Sequence, residues 1–176
     1  FIIVNNIFLN LNIKVFYVIP VFNCEKTISK CLKSIFSRKY ILNVIIVNDK
    51  STDGTIDSIE RIKDKLSYNI HIINNPENQG ISHSLNIGID YAIKLEADYI
   101  LRLDGDDFNV KKRTDFQVEY MEANKHIMLS TSNAYLIKNE KITSSIVNNI
   151  KPLWEDMLKP YTSIIASLDI HPSFIF

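Results

Sequence analysis

Three carboxylates crowd into the run LRLDGDD, at Asp104, Asp106 and Asp107. Carboxylates this close repel one another unless a cation stands between them. Their hard oxygens suit Mg2+ or Mn2+, which bind one or two protein side chains and complete their shell with substrate phosphates. The bland alternative is a solvated acidic turn that caps a helix after Val110. A second acidic run, VNDKSTDGTIDSIE, places Asp49, Ser51, Asp53, Gly54, Ile56, Asp57 and Glu60 at positions 1, 3, 5, 6, 8, 9 and 12 of a calcium-binding EF-hand loop. Such a loop must be entered by an amphipathic helix. Asp49 is instead entered from Val44-Ile45-Ile46-Val47, a β-branched run that favours a strand, and the chain has no second loop to pair with it. The string is more economically a turn that leaves a strand and opens a helix near Thr55.

Chemistry at these positions requires elements that bring Asp49 and Asp104 to one place. Lys14–Ile19 is an apolar run stopped by Pro20, and it reads as a buried strand; Asn43–Val47, Asn69–Ile73 and Tyr99–Leu103 read likewise. Between them lie helical stripes at Glu25–Phe36, with Asn23 placed to cap, at Thr55–Leu66, and at Ile81–Leu95 with Leu85, Ile89, Ala92 and Ile93 inward. Apolar strands alternating with amphipathic helices imply right-handed crossovers, hence an α/β fold: a Rossmann-like, doubly wound, mostly parallel sheet flanked by helices. In such sheets ligands sit at the carboxyl ends of the strands. Each strand here ends in polar or turn-forming residues: Pro20 with Phe22-Asn23, Asn48-Asp49, Asn74-Asn75, and Asp104-Gly105-Asp106-Asp107. A crevice so lined could hold a base through Asp49 and a diphosphate through a metal at Asp104 and Asp106. Further on, the pattern predicts a helix over Val110–Asn124, extended chain over Ile127–Ile137 and a helix over Leu153–Ser167.

The whole chain has 176 residues, 46% hydrophobic and 23% charged, with twenty basic and twenty acidic side chains. That is the composition of one globular domain. The balanced charge supplies no basic face, which argues against nucleic acid as a partner. Cys24 and Cys31 are seven apart, a spacing that stacks them on one side of a helix, and they read as buried thiols of a reducing compartment. The opening FIIVNNIFLNLNI is broken by Asn5, Asn6, Asn10 and Asn12. It lacks a basic stretch and a cleavage site, so it reads poorly as a signal peptide, and it is too short and polar to span a bilayer.

VIPVFN (Val18–Asn23), VNDKSTDGT (Val47–Thr55), NPENQGISHSLNIGI (Asn75–Ile89) and LRLDGDD (Leu101–Asp107) together resemble glycosyltransferase family 2, in order and in spacing, from Lys14 to about Arg113. The resemblance implies the GT-A fold and an inverting transfer of a sugar from a nucleotide donor, usually UDP-linked, to an acceptor hydroxyl of a saccharide or lipid-linked molecule. It implies that Pro20 and Phe22 line the base pocket, that Asp49 contacts uracil, and that Asp104 faces ribose and metal. Asp106 would ligate the Mn2+ or Mg2+ that bridges the phosphates, and Asn86 belongs to the third motif of the donor site. The expected organisation is one domain over 1–176. A nucleotide-sugar half occupies about 14–113, and an acceptor half, 114–176, is cut short at its C-terminus. The expected location is cytoplasmic, free or loosely held at the inner membrane face.

Several residues depart from the family pattern. Asn48 stands where an acid is frequent. Lys50 replaces a frequent Gly, Leu85 precedes Asn86 where many relatives have Arg, and Lys112 replaces a Pro before Arg113. Inversion needs a general base. In relatives it usually follows the segment resembling HPSFIF, so the base is expected beyond Phe176; Glu155-Asp156 reads as a solvated face. His71 reads as structural and His83 as a surface residue. His171 is more simply a bystander than a metal or acceptor contact, and Trp154 is more simply buried than stacked on a sugar. Three rivals remain. A sugar-phosphate nucleotidyltransferase would show a Gly-rich, Arg-containing loop where VIPVFNCEK stands. A receiver domain phosphorylated on Asp104 would need a Lys after a later strand. A non-catalytic nucleotide-sugar-binding module would bind UDP with metal yet transfer nothing.

Overall fold

Along KVFYVIPV every second side chain points the same way, and both sets are apolar, so this segment must be covered on both faces. In the computed structural model, which describes residues 2–4, 7–9, 13–132, 134–138 and 141–146, it is the central strand of the molecule. The elements run β1 (Ile2–Val4), β2 (Ile7–Leu9), β3 (Lys14–Val21), α1 (Ile28–Ser34), β4 (Ile41–Asn48), α2 (Thr55–Lys63), β5 (Asn69–Asn74), α3 (Ile81–Lys94), β6 (Tyr99–Arg102), α4 (Arg113–Ala123), β7 (Ala134–Lys138) and β8 (Lys141–Ile146). The described residues up to Ser130 form one compact unit, and those from Thr131 belong to a second.

In the first unit, β3 to β6 form a parallel sheet in the order β5-β4-β3-β6. The order reverses at β3, because β4 and β5 lie on one side of it and β6 on the other. That is the topological switch point, where α/β sheets bind ligands. Val15, Tyr17 and Ile19 of β3 face a core shared with Ile28 and Leu32 of α1, Ile59 of α2 and Val118 of α4. Phe16 and Val18 face the other way with Ile45, Val47 and Ala92, under α3. The sheet is thus doubly wound, as the strand–helix alternation predicts. A separate hairpin joins β1 antiparallel to β2, with Ile3 opposite Phe8.

Several local expectations are corrected. Strand β3 does not stop at Pro20 but continues to Val21, paired with β4 throughout. The Val18 carbonyl accepts from Leu103, towards β6. Pro20, two residues on, faces the same side, where the β6 ladder has already ended at Arg102. Its missing N–H therefore removes no ladder bond. Helix α1 starts at Ile28 rather than Glu25, so Cys24 precedes it and only Cys31 lies on it. On α3, Ile93 is 61% exposed and not inward. The buried stripe is instead Ser84, Gly88 and Ala92, small residues that let the helix lie close to the sheet. A Cβ on Gly88 would stand 2.4 Å from Val18 Cγ1.

Helix α4 begins at Arg113, later than predicted, and buries Arg113, Thr114 and Gln117 while Phe116 and Tyr120 are exposed. In the second unit, β7 pairs antiparallel with β8, with an irregularity between Leu136 and Ile137. The extended structure expected from Ile127 thus starts only at Ala134 apart from a bridge at Ser130, and β8 was not anticipated. The helix expected over Leu153–Ser167, with Trp154, Glu155, Asp156 and His171, lies outside the described residues.

Candidate functional site

The carboxyl ends of β3 and β4 are knitted together by short-range polar chemistry. Asn23 has φ 53° and does not cap α1. Its side-chain oxygen accepts from the Thr52 amide at 2.8 Å, and its own amide donates to Ser51 Oγ at 3.1 Å. The Cys24 amide donates to Thr55 Oγ1 at 2.8 Å and the Glu25 amide to Asp53 Oδ2 at 3.1 Å. Asp53 also accepts from the Thr55 amide at the start of α2. Burial opposes its charged form, yet these donors outweigh it and hold the carboxyl below its ordinary range. Of the acids in the would-be calcium loop, Asp53 is therefore spent on the turn and Glu60 pairs with Lys63, and the loop is entered by β4, a strand. Pro20 is buried beneath this corner, whereas Phe22 is 47% exposed at its rim and presents an aromatic face.

Asp49 is only 4% exposed. Its Oδ1 accepts from Asn75 Nδ2 at 2.8 Å and from the Gln79 amide at 3.0 Å, and its Oδ2 accepts from the Gly80 amide at 2.7 Å. Asn75 also donates to the buried Ser84 Oγ at 3.0 Å. Burial would push the Asp49 carboxyl up, but the donors from Gln79, Asn75 and Gly80 overcome it and leave it lowered. Asp49 thereby fastens the loop between β5 and α3 to the end of β4. Its neighbour Asn48 donates to Asn74 Oδ1 at 2.9 Å and accepts from the Ser51 amide at 3.0 Å. An amide can do both at once, and an ionised acid there could only accept. The next residue, Lys50, adopts φ 63°, a left-handed geometry that Gly takes up more readily than a residue with a Cβ.

The acidic loop after β6 is anchored along one face of α1. Thr27 Oγ1 donates to the Gly105 carbonyl at 3.0 Å, and Cys31 Sγ donates to the Asp104 carbonyl at 3.4 Å. The Lys30 ammonium lies 4.3 Å from the Phe108 ring centroid, and Ser34 Oγ accepts from the Asn109 amide at 2.7 Å. Thr27, the N-cap of α1, and Lys30, Cys31 and Ser34 within it follow helical spacing. Gly105 is required by space: an added Cβ would stand 2.9 Å from Val21 Cγ1 and 3.0 Å from Cys24 Sγ. Burial, and then the carboxylates of Asp106, Asp53 and Asp104, push the Cys24 thiol up, partly offset by its hydrogen bond to the Phe22 carbonyl. Burial likewise pushes up Cys31. Neither is disposed to be a thiolate nucleophile.

Asp104 itself is buried, and Arg102 grips it as a fork, Nε to Oδ1 and a terminal nitrogen to Oδ2, both at 3.0 Å. Two residues apart in extended chain, the two side chains share a face while Leu101 and Leu103 enter the core. Behind the loop a second guanidinium, Arg113, donates to the Arg102 carbonyl at 3.2 Å, to Asn109 Oδ1 at 3.1 Å and to Gln117 Oε1 at 2.8 Å. Asn109 donates to the Tyr17 hydroxyl, which also bonds Thr114 Oγ1, each at 2.8 Å. This network explains why α4 buries polar residues. Each buried group needs its partner, and an unmet one costs about 1–3 kcal/mol.

Of the residues singled out in the sequence, Pro20, Phe22, Asp49, Asp104 and Asp106 lie at or just beyond the carboxyl ends of β3, β4 and β6, within one unit. Asp106 is exposed, as are Asn86 and His83 on α3, while Leu85 packs partly into the core beside them. His71 packs edge-on against Tyr91, centroids 5.6 Å apart, a structural role. Sequence reading missed Arg102 as a partner of Asp104, although the alternation Leu-Arg-Leu-Asp carries it. It also missed the polar face Thr27, Lys30, Cys31 and Ser34, because an apolar-stripe search discards such positions. Among the described residues no group of three or more His, Cys, Asp or Glu is arranged to hold a metal, and no helix is long and apolar enough to cross a membrane.

A model of the family described as Glycosyl transferase family 2 matches residues 17–173. A β-1,3-glucosyltransferase of Escherichia coli, WfaP, named for transfer from UDP-Glc to α-D-GlcNAc-diphosphoundecaprenol, is 33% identical over 151 residues, which is 85% of this chain and 57% of that protein. Among solved structures, Staphylococcus aureus TarS 1-349 in complex with UDP superposes with a TM-score of 0.57 at 20% identity, covering 93% of this chain and 46% of that 1-349 chain. The mannosyltransferase PcManGT of Pyrobaculum calidifontis, in complex with GDP-Man and Mn2+, gives 0.56 at 20% identity, covering 70% and 35%. The matched region spans 40% and 57% of the length of two of the curated relatives, and between 11% and 27% of four others. The fold is that of the GT-A glycosyltransferases.

Proposed function

The chain belongs to glycosyl transferase family 2, and on that premise we propose that it carries the donor site of a glycosyltransferase that moves a sugar from a nucleoside-diphosphate donor, UDP-linked by preference, to an acceptor hydroxyl with inversion. The observation that carries this reading is the convergence of Phe22, Asp49 and the Asp104–Asp106 loop on one corner of a parallel sheet at its switch point. Phe22 offers the base an apolar face, and Pro20 forms the floor beneath it. Asp49, already ionised and rigidly held by three donors from the chain, fixes the wall against which the base sits.

Asp104 and Asp106 supply hard oxygen donors with Gly105 between them. That set fits Mg2+ or Mn2+, which needs few protein ligands when phosphates complete its shell. The E. coli relative's UDP-Glc and the Mn2+ of PcManGT point the same way. When bound, the cation would neutralise charge on the departing diphosphate as a Lewis acid. The protein's own part is to hold the loop still. Thr27 and Cys31 pin its carbonyls, Arg102 orients Asp104, and the Arg113 network blocks its retreat into the core. Residues 14–113 carry the donor half in this proposal, and 114–176 contribute to the acceptor half. A saccharide or lipid-linked acceptor fits the relative that acts on a diphosphoundecaprenol-linked sugar.

The test is calorimetric titration of UDP with and without Mn2+ into the protein and into Asp106→Asn, with a thermal melt of each sample. UDP binding that requires Mn2+ and is lost in the folded variant is the expected result. Absence of UDP binding by the folded protein under any cation would overturn the donor-site assignment.

A further inference from the structure

Resting on the donor-site proposal, we propose that Arg102 is a positioning residue that occupies the Asp104 carboxylate in place of a divalent cation and so makes cation binding depend on the nucleoside diphosphate. Both carboxylate oxygens are taken by the fork at 3.0 Å, and the pair is largely withdrawn from water, with the side chains 20% and 10% exposed. A bidentate guanidinium–carboxylate pair shielded in this way is among the stronger ones available to a protein. The guanidinium also offsets the mutual repulsion of Asp104, Asp106 and Asp107 when no donor is present. Its backbone is fixed as well, since the Arg102 carbonyl accepts from Arg113 and its strand pairs with Val18.

A cation approaching Asp104 alone must therefore displace or face a fixed positive charge. A cation arriving with a diphosphate brings enough negative charge to share both positive centres, and Asp104 can turn from guanidinium to metal. Arg102 thus sets the order in which charge is assembled. It does not itself touch a reacting atom.

The measurement is Mn2+ affinity, by paramagnetic relaxation or direct titration, with and without UDP, for the wild type, Arg102→Met, Arg102→Gln and Arg102→Lys. Removing the charge is expected to tighten binding of Mn2+ alone by about tenfold or more, since one unit charge a few ångströms from a divalent ion is worth roughly that even when screened as in bulk water. The further tightening on adding UDP should shrink in the same variants. Arg102→Lys, which keeps the charge but not the two-pronged fork, should fall between the wild type and the uncharged variants. Arg102→Gln decides the matter if the Met variant fails to fold. Unchanged or weaker Mn2+ affinity in the folded, uncharged variants overturns the role of Arg102 even if UDP binds the wild type normally. Should the wild type bind no UDP while the uncharged variants still gain Mn2+ affinity, the donor-site proposal falls and Arg102 as the cation's rival stands.

Discussion

Two aspartates sit at neighbouring strand ends, and the molecule satisfies them in opposite ways. Asp49 is held by neutral donors, the amides of Gln79 and Gly80 and the side chain of Asn75. Asp104 is held by the guanidinium of Arg102. Backbone amides cannot leave without unmaking the loop they belong to, so Asp49 is committed to architecture and serves a ligand as a fixed wall. A side-chain cation can be exchanged for another cation, so Asp104 keeps a choice of partner. Burial alone does not distinguish the two, at 4% and 8% exposed. The kind of donor does.

The largest effect that would test this contrast is on stability at Asp49. Asp49→Ala should cost about 3 kcal/mol, because three donors lose a charged acceptor at once, and urea unfolding measures it. The same carboxyl has a lowered pKa in the folded protein. Its stabilisation is therefore complete above the unfolded carboxylate range near pH 4, and is lost as pH falls below that towards the folded value. The Asp49→Ala protein should show a flatter loss of stability in that acid window, and an acid titration as steep as that of the wild type would show that Asp49 is not the group responsible. Next in size is Gly105→Ala, which forces a methyl to 2.9 Å from Val21 and 3.0 Å from Cys24. Overpacking of this kind costs about 1–3 kcal/mol, and it should displace the acidic loop, so UDP–Mn2+ affinity should fall along with the melting temperature.

Asp104→Asn sharpens the comparison most directly. Its stability should fall by about 1.5 kcal/mol, because the amide keeps an acceptor for Arg102 but the shielded, charge-assisted fork is lost, while UDP–Mn2+ affinity should drop by about tenfold or more. A large stability loss with binding intact would place Asp104 in the same class as Asp49. The smallest effect is expected at Lys50. Its φ of 63° suits glycine, so Lys50→Gly should relieve left-handed strain at the cost of unfolded-state entropy, a net gain of about 0.5 kcal/mol readable as a small rise in melting temperature.

Much of this was legible in local pattern. Runs such as NVIIV and KVFYVI carry period-two or fully apolar signals that only buried strands satisfy, and polar residues at the strand ends mark a ligand-binding edge whatever the loops do. The helix starts were less legible. Asn23 looks like a cap for α1 but is used by the Thr52 amide of a neighbouring loop. The inward face of α3 was misread as well, since Ser84, Gly88 and Ala92 are buried for being small while Ile93 is left outside. Periodicity reports apolarity, and close helix–sheet approach selects volume.

The sequence by itself determined the alternation of strand and helix, the doubly wound class, and which strand ends carry acids, because these depend on side chains a few positions apart. Only the tertiary structure decided what each acid is bonded to. Asp49 meets Gln79 and Gly80 some thirty positions away, and the acidic loop meets Thr27 and Cys31 across more than seventy. Hydrogen-bond partners at such separations are chosen by the packing of β3 between β4 and β6, and no local pattern encodes that choice.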